Sequence, residues 1–187
     1  LFYSKYRTII RDRWVRYLVA PRSDGIEFEQ SLKPKSLVGM EFTPLRPCFY
    51  ASRPTREYRP IQSVIMCFGG AQHQATMKLA LITIRDLGFR GHVTLILGAA
   101  CEQSFNLNKS YEFELEVVVG LDGDDLVRLI DEADVGLISS GTIAQECFSR
   151  GLVCGLVDVA DDQAGLSRTY ASMGLCLPVD LVQKSSA

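Results

Sequence analysis

The residues best suited to chemistry in this 187-residue chain are Ser139-Ser140-Gly141-Thr142 and, one helical turn further along, Glu146. The apolar run at 135–138 predicts a buried strand, and a helix is expected to follow the small-residue turn. The start of such a helix offers unpaired backbone N–H groups and the positive end of the helix dipole, which together favour phosphate. Glu146 could accept hydrogen bonds from a ribose diol. An ordinary strand-to-helix turn carries the same small residues, so the motif alone leaves both interpretations open.

The elements that must position this turn follow from the hydrophobic pattern after residue 61. Apolar runs alternate with amphipathic segments, and uninterrupted apolar strands are typical of a parallel sheet covered by helices on both faces. The sequence therefore predicts an α/β fold with a Rossmann-like parallel sheet of five or six strands. The predicted strands are 63–68, 93–97, 113–119, 135–138, 152–157 and a short segment at 175–178, and the predicted helices are 74–87, 124–133, 143–150 and 162–173.

The first 60 residues have a different character. Aromatic and basic side chains over residues 6–17 have the spacing of an amphipathic helix, and residues 37–42 resemble a short strand. Six of the seven prolines lie in residues 21–63, which indicates a connector. We therefore predict an N-terminal helix and Pro-rich connector over 1–60, followed by a ligand-binding domain over 61–183.

Composition excludes several function classes. The net charge of −2 lacks the basic excess expected of a nucleic-acid or membrane-surface protein, and no apolar run approaches the length of a membrane span. The six cysteines form no C-x-x-C pair and there are only two histidines, so we expect no metal site, no cofactor and a reducing, cytoplasmic location. Because residue 1 is not Met, the chain is expected to be a fragment or a trimmed product.

Unusual residues follow four of the predicted strands, where ligands bind in open parallel sheets. They are Gly69-Gly70, Gly120-Leu121-Asp122-Gly123, Ser139-Ser140-Gly141-Thr142 and Val159-Ala160-Asp161-Asp162-Gln163. The chain contains neither the G-x-G-x-x-G dinucleotide fingerprint nor a G-x-x-x-x-G-K-[ST] loop, which argues against a dinucleotide enzyme and an NTPase.

The order of these motifs resembles the C-terminal domain of GT-B-fold nucleotide-sugar enzymes. It is most similar to the UDP-sugar hydrolases of the pseudaminic acid pathway, and more distantly to the lipid II-forming N-acetylglucosaminyltransferases. The connector Leu45-Arg46-Pro47-Cys48-Phe49 resembles the Leu-Arg-Pro-Glu-Phe of the hydrolases. The other matching stretches, within residues 20–180, are 64–70, Glu132-Ala133-Asp134, 140–147, Arg150-Gly151-Leu152 and Ala160-Asp161-Asp162-Gln163.

The resemblance implies a binding site for a nucleotide-diphosphate sugar. Gly69, Gly70 and the turn comprising Ser140, Gly141, Thr142 and Ile143 would border the diphosphate. Glu146 would bind the ribose, the backbone near Leu121 would lie beside the uracil, and Asp161, Asp162 and Gln163 would face the sugar or the β-phosphate. The implied role is that of the UDP-sugar-binding half of a hydrolase, in which a histidine of an N-terminal partner domain activates water.

The sequence departs from the family pattern at several positions. Ala71-Gln72 stands where the family has Ser-Asp, Asp162 replaces an asparagine, and the N-terminal domain with its histidine is not recognisable. No catalytic residue can therefore be named. A GT-B glycosyltransferase donor domain and a non-catalytic, degenerate nucleotide-sugar-binding module remain as alternatives.

Overall fold

The computed structural model describes residues 17–20, 35–38, 42–69, 73–98, 111–163 and 165–181. The chain divides into two compact units, Leu1–Leu45 and Arg46–Ala187. In the first unit, strands β1 (Tyr17–Ala20) and β2 (Lys35–Val38) pair in parallel. Residues 6–16 of the predicted N-terminal helix lie outside the described residues, and Tyr17, the last residue of that prediction, belongs to β1. Strand β2 overlaps the strand predicted at 37–42 by two residues and begins earlier.

The second unit carries the alternating strands and helices that the hydrophobic pattern predicts. The bounds of each described element lie within two residues of the predicted ones, apart from the last helix. The elements are β3 (Ser63–Cys67), α1 (Gln74–Asp86), β4 (His92–Leu97), β5 (Glu114–Val119), α2 (Gly123–Glu132), β6 (Val135–Ser139), α3 (Thr142–Ser149), β7 (Cys154–Val157), α4 (Leu166–Ser172) and β8 (Leu177–Pro178).

Strands β3 to β8 form one six-stranded sheet in the order β5-β4-β3-β6-β7-β8, and every pairing in it is parallel. This is the doubly wound order in which the chain moves outward from β3 to β5, returns to the centre at β6 and continues to the other edge. The direction changes between β3 and β6, where Cys67 pairs with Ile138. The predicted α/β, Rossmann-like fold is therefore confirmed, and its topological switch point lies at the ends of β3 and β6.

The core on one face of the sheet explains why these segments fold together. Val64, Met66 and Phe68 alternate along β3 and its end, and they pack with Met77 and Leu81 of α1, all at most 8% exposed. Burying apolar side chains of this size stabilises the fold by about 1.5–3 kcal/mol each. The centre of the sheet therefore holds the ends of β3 and β6 in fixed positions.

The last predicted helix, 162–173, is split in the structure. A 3₁₀ turn covers Asp161–Gln163, and α4 begins only at Leu166. Gly165, the residue before α4, has a φ of 81°, a left-handed conformation that interrupts a right-handed helix. The residues after β7 therefore form a loop and a turn at the carboxyl edge of the sheet before the helix starts.

Within the second unit, the segment before β3 packs closely against the rest of the unit. Arg56 donates to the carbonyl oxygens of Ile130, Ala133 and Arg150, and Arg59 pairs with Asp134 at 2.6 Å. These contacts hold the connector at Arg56 and Arg59 against the end of α2 and the amino ends of the strands. The predicted start of the binding domain at residue 61 stays a prediction.

Candidate functional site

The switch point brings Gly69 and the end of β6 together. Gly69 follows β3 with a φ of 85°, and a β-carbon placed on it would lie 4.0 Å from the Ser139 hydroxyl oxygen. A glycine therefore permits this left-handed backbone, and it leaves the space beside the end of β6 open. Gly70 lies outside the described residues.

The turn from β6 into α3 presents backbone donors. Gly141 is the N-cap of α3 with extended backbone, and no side chain caps the helix. Thr142 is exposed, whereas the side chain of Ile143 is buried at 9%, so only the backbone of Ile143 could face a ligand. The first amides of a helix have no partner within it, and the helix dipole adds positive potential there. This turn can therefore receive an anion.

The Ser140 side chain is committed to the protein instead. Ser140 is fully buried, its N–H donates to the Val157 carbonyl, and its hydroxyl donates to Asp158 Oδ1 at 2.5 Å. The sequence did not single out Asp158, which follows β7 and also accepts hydrogen bonds from Gly165 and Ser167. Burial opposes ionisation of Asp158, but these hydrogen bonds outweigh it and lower the pKa of its carboxyl. Asp158 therefore joins the β6–α3 turn to the start of α4.

Gln163 lies beside Gly141. Its Oε1 accepts the Val159 N–H at 3.3 Å, and its Nε2 would lie 3.2 Å from a β-carbon placed on Gly141. Asp161 is exposed in the same 3₁₀ turn, and the side chain of Asp162 lies outside the described part of the structure. The structure thus brings Gly69, Gly141 and Gln163 to one place at the switch point.

Glu146 lies in the second turn of α3 and is 6% exposed. Its Oε1 accepts a hydrogen bond from Arg46 Nε at 2.9 Å, across one hundred positions of the sequence. Hydrogen bonding to Glu146 is the main cause that raises the pKa of Arg46. The sequence placed Arg46 in the Leu45-Arg46-Pro47 motif but gave no reason to pair it with Glu146. A carboxylate has lone pairs for further hydrogen bonds, so the pair does not exhaust its accepting capacity.

Leu121 lies further from the switch point. It follows β5, which is two strands from β3, and neighbouring strands are about 4.8 Å apart. Its side chain lines a groove of about 290 Å³ on the face of the sheet beside α2, together with Thr94, Val118 and Leu129. A ligand in contact with both Leu121 and Gly141 would therefore have to lie across the carboxyl ends of the central strands.

The cysteines beside the β6–α3 turn, Cys67 and Cys147, are buried and therefore poor nucleophiles. Burial raises the pKa of the Cys67 thiol, and a hydrogen bond with Cys154 together with burial raises that of Cys147. His73, the N-cap of α1, lies at the same end of the sheet, because α1 begins after the carboxyl end of β3. His92 begins β4 at the opposite end of the strands, beside Glu114 and Glu116. Within the described residues, no group of three or more His, Cys, Asp or Glu side chains has the geometry of a metal site.

None of the helices in the described part of the chain is both long and apolar enough to cross a membrane.

Comparisons with known proteins bear on the fold. No family model matches the chain, and no curated protein matches its sequence. Among solved structures, the glycotransferase of kitacinnamycin is 17% identical with a TM-score of 0.50, over 76% of this chain and 36% of that one. The glycosyltransferase SnogD from Streptomyces nogalater is 13% identical with a TM-score of 0.47, over 74% of this chain and 34% of that one.

The chain thus spans about a third of the length of these glycosyltransferases. At such identities the likeness concerns the fold. Together with the sheet order, it supports an α/β, Rossmann-like sheet of the kind that forms one half of a GT-B glycosyltransferase. The chain therefore has the fold of a GT-B half-domain.

Proposed function

We propose that this chain binds a nucleotide-diphosphate sugar, most simply a UDP-sugar, at the carboxyl edge of the six-stranded sheet. The observation that carries this proposal is the arrangement of α3 at the topological switch point. Its uncapped N-terminus at Gly141 can accept an anion, and Glu146 stands one turn further along as an acceptor for hydroxyl groups. A nucleoside diphosphate carries both groups, an anionic diphosphate and a ribose diol.

The remaining residues fit around such a ligand. Gly69, Gly70 and the amides of Gly141, Thr142 and Ile143 would border the diphosphate, with Ser140 holding the turn through Asp158. Leu121 would lie beside the base, at the end of β5. Asp161, Asp162 and Gln163 would face the sugar or the β-phosphate, and the position of Gln163 next to Gly141 supports its part of this assignment.

The reaction proposed for the complete protein is hydrolysis of the UDP-sugar, with this domain holding UDP as the leaving group. Helix N-termini can stabilise charge that develops on the diphosphate. The connector around Arg46 and Pro47, similar to that of the pseudaminic acid pathway hydrolases, favours hydrolysis. An N-terminal partner domain would supply the histidine that activates water. Transfer of the sugar to an acceptor is the second candidate, favoured by the fold shared with the glycotransferase of kitacinnamycin.

Replacing Glu146 with glutamine tests the nucleotide site. Losing hydrogen bonds to a charged acceptor costs about 1.5–3 kcal/mol, so the Kd for UDP should rise about tenfold to a hundredfold. Calorimetry on the full chain measures it, after a thermal-shift comparison of UDP, CMP and GDP. The matched control is Glu112→Gln, whose side chain is 65% exposed away from the proposed site and whose replacement should leave the affinity unchanged.

An unchanged Kd in Glu146→Gln contradicts the ribose assignment. Wild-type protein that binds none of the three nucleotides contradicts the proposed function. That result would favour the remaining alternative, a non-catalytic module in which the β6–α3 turn and its internal hydrogen bonds only stabilise the fold.

A further inference from the structure

The ion pair between Arg46 and Glu146 lies at the carboxyl edge of the sheet. Glu146 belongs to the second turn of α3, and the Arg46 guanidinium lies at the start of α2. A β-carbon placed on Gly123, the first residue of α2, would lie 3.6 Å from Arg46 Nη1. Both helices begin where their preceding strands end, so the pair joins the connector to α3 beside the start of α2, next to the proposed nucleotide site.

Arg46 is held in place from its own side as well. The 3₁₀ turn Pro47–Tyr50 follows it, and Phe49 of that turn is 3% exposed. The Arg46 guanidinium carbon lies 5.1 Å from the centroid of the Phe49 ring, within the range of a cation–π contact. Because the Phe49 ring is buried, its position is fixed, and the cation–π contact helps to fix the guanidinium in the position where it donates to Glu146.

A carboxylate at a diphosphate site poses an electrostatic problem. Glu146 is nearly buried, with 8% of its side chain exposed, and a second anion nearby would disfavour its charge. Arg46 supplies the compensating charge at 2.9 Å. Since Nε occupies only Oε1, the carboxylate keeps acceptor capacity for hydroxyl groups while the pair as a whole stays neutral.

We propose that Arg46 is a positioning residue for ribose recognition: it neutralises Glu146 and fixes its carboxylate so that the carboxylate can accept hydrogen bonds from the ribose hydroxyls of the bound nucleotide. The proposal rests on the proposed function. It also explains why an arginine in the connector reaches a helix one hundred positions away, since the connector then contributes directly to specificity.

The test compares UDP with 2′,3′-dideoxyuridine diphosphate, which keeps the base and the diphosphate but has no ribose diol. Calorimetry on the full chain gives the ratio of the two Kd values for wild type, Arg46→Gln, Arg46→Lys and the control Arg90→Gln. Arg90 forms an ion pair with Glu112 away from the proposed site.

Wild type and Arg90→Gln should bind UDP at least about tenfold more tightly than the dideoxy analogue. In Arg46→Gln the ratio should fall to within about threefold of one, and Arg46→Lys, which keeps the charge but not the Nε geometry, should give an intermediate ratio. If Arg46→Gln fails to fold, a reduced ratio in Arg46→Lys supports the proposal.

An arginine that only stabilises the fold would weaken both ligands equally, so an unchanged ratio in a folded Arg46 variant overturns the proposal. Wild type that binds UDP without discriminating against the dideoxy form overturns it too, while leaving nucleotide binding intact. Wild type that binds neither ligand overturns the proposed function itself.

Discussion

The polar groups at the two ends of the strands, the amino edge and the carboxyl edge of the six-stranded sheet, are satisfied in different ways. At the amino edge, Asp134 accepts hydrogen bonds from Arg59, from the Gln62 and Ser63 N–H groups and from the Ser63 hydroxyl. At the carboxyl edge, α3 begins at Gly141 without a side-chain cap. At the amino edge these side chains complete the protein's own hydrogen bonding. At the carboxyl edge Asp122 and Asp158 do the same for the starts of α2 and α4, but the start of α3 leaves backbone donors that a ligand can use.

The amino edge also holds the most deeply buried charge of the described residues. Arg150 is 1% exposed and forms two hydrogen bonds with Asp131, at 2.9 and 2.6 Å, and its other donors reach the carbonyl oxygens of Ala51 and Ser52. This network joins α2, α3 and the connector. Stability should therefore depend on the amino edge and ligand binding on the carboxyl edge, a division that substitutions can test.

The largest effect is expected for Arg150→Ala. Breaking a buried pair by removing one partner costs about 3–5 kcal/mol, because Asp131 and two carbonyl groups lose their donor. Urea unfolding measures this loss. The matched control is Arg128→Ala, whose side chain is 59% exposed and whose loss should change the free energy of unfolding by less than about 0.5 kcal/mol. A loss below about 1 kcal/mol in Arg150→Ala would contradict the structural role given to the amino edge.

The next effect concerns acid. Burial opposes ionisation of Asp134, but hydrogen bonds from Gln62, Arg59 and Ser63 outweigh it and lower its pKa from 3.8 to about 2. Because the folded pKa lies below the unfolded one, the ionised carboxylate stabilises the fold above about pH 4. That contribution, about 2 kcal/mol, is lost as the pH falls towards 2.

Unfolding free energies measured at several pH values between 5 and 2.5 test this prediction. Other carboxyl groups titrate in the same range, so the informative quantity is the difference between wild type and Asp134→Asn. That difference should shrink steadily as the pH falls. A difference that stays constant over the whole range would mean that Asp134 ionisation contributes nothing to stability.

The sequence predicts the carboxyl edge better than the amino edge. Continuous apolar runs identify the parallel strands, and each strand end then identifies a candidate ligand residue, because carboxyl ends share one edge. Gly69, Gly141 and Gln163 were named in this way, and the structure places them close to one another, while their role in binding a ligand stays a prediction. The left-handed Gly165, which splits the last predicted helix, shows where that local pattern fails.

The ion pairs could not be found from local patterns. Arg46 and Glu146 are one hundred positions apart, and Arg150 and Asp131 are separated by 19. The periodicity of apolar residues indicates which side chains are buried, but it does not indicate which carboxylate pairs with a buried arginine. Choosing among the many acidic residues requires the positions of α2 and α3 relative to the connector, which only the fold provides.

The smallest effect separates two glycines of the carboxyl edge. Gly141 has extended backbone that alanine can adopt, so Gly141→Ala should change the free energy of unfolding by less than about 1 kcal/mol. Its methyl group would lie 3.2 Å from Gln163 Nε2, within the space that the proposed diphosphate approaches, and the Kd for UDP should rise about tenfold.

Gly165 is the matched opposite, since its φ is 81° and a β-carbon there meets nothing within 4 Å. Gly165→Ala should therefore cost about 1–2 kcal/mol of stability and leave the Kd unchanged. Calorimetry gives the Kd for UDP and urea unfolding gives the free energy of unfolding for each variant. An equal loss of affinity in Gly141→Ala and Gly165→Ala would mean that Gly141 has no special role in binding the ligand.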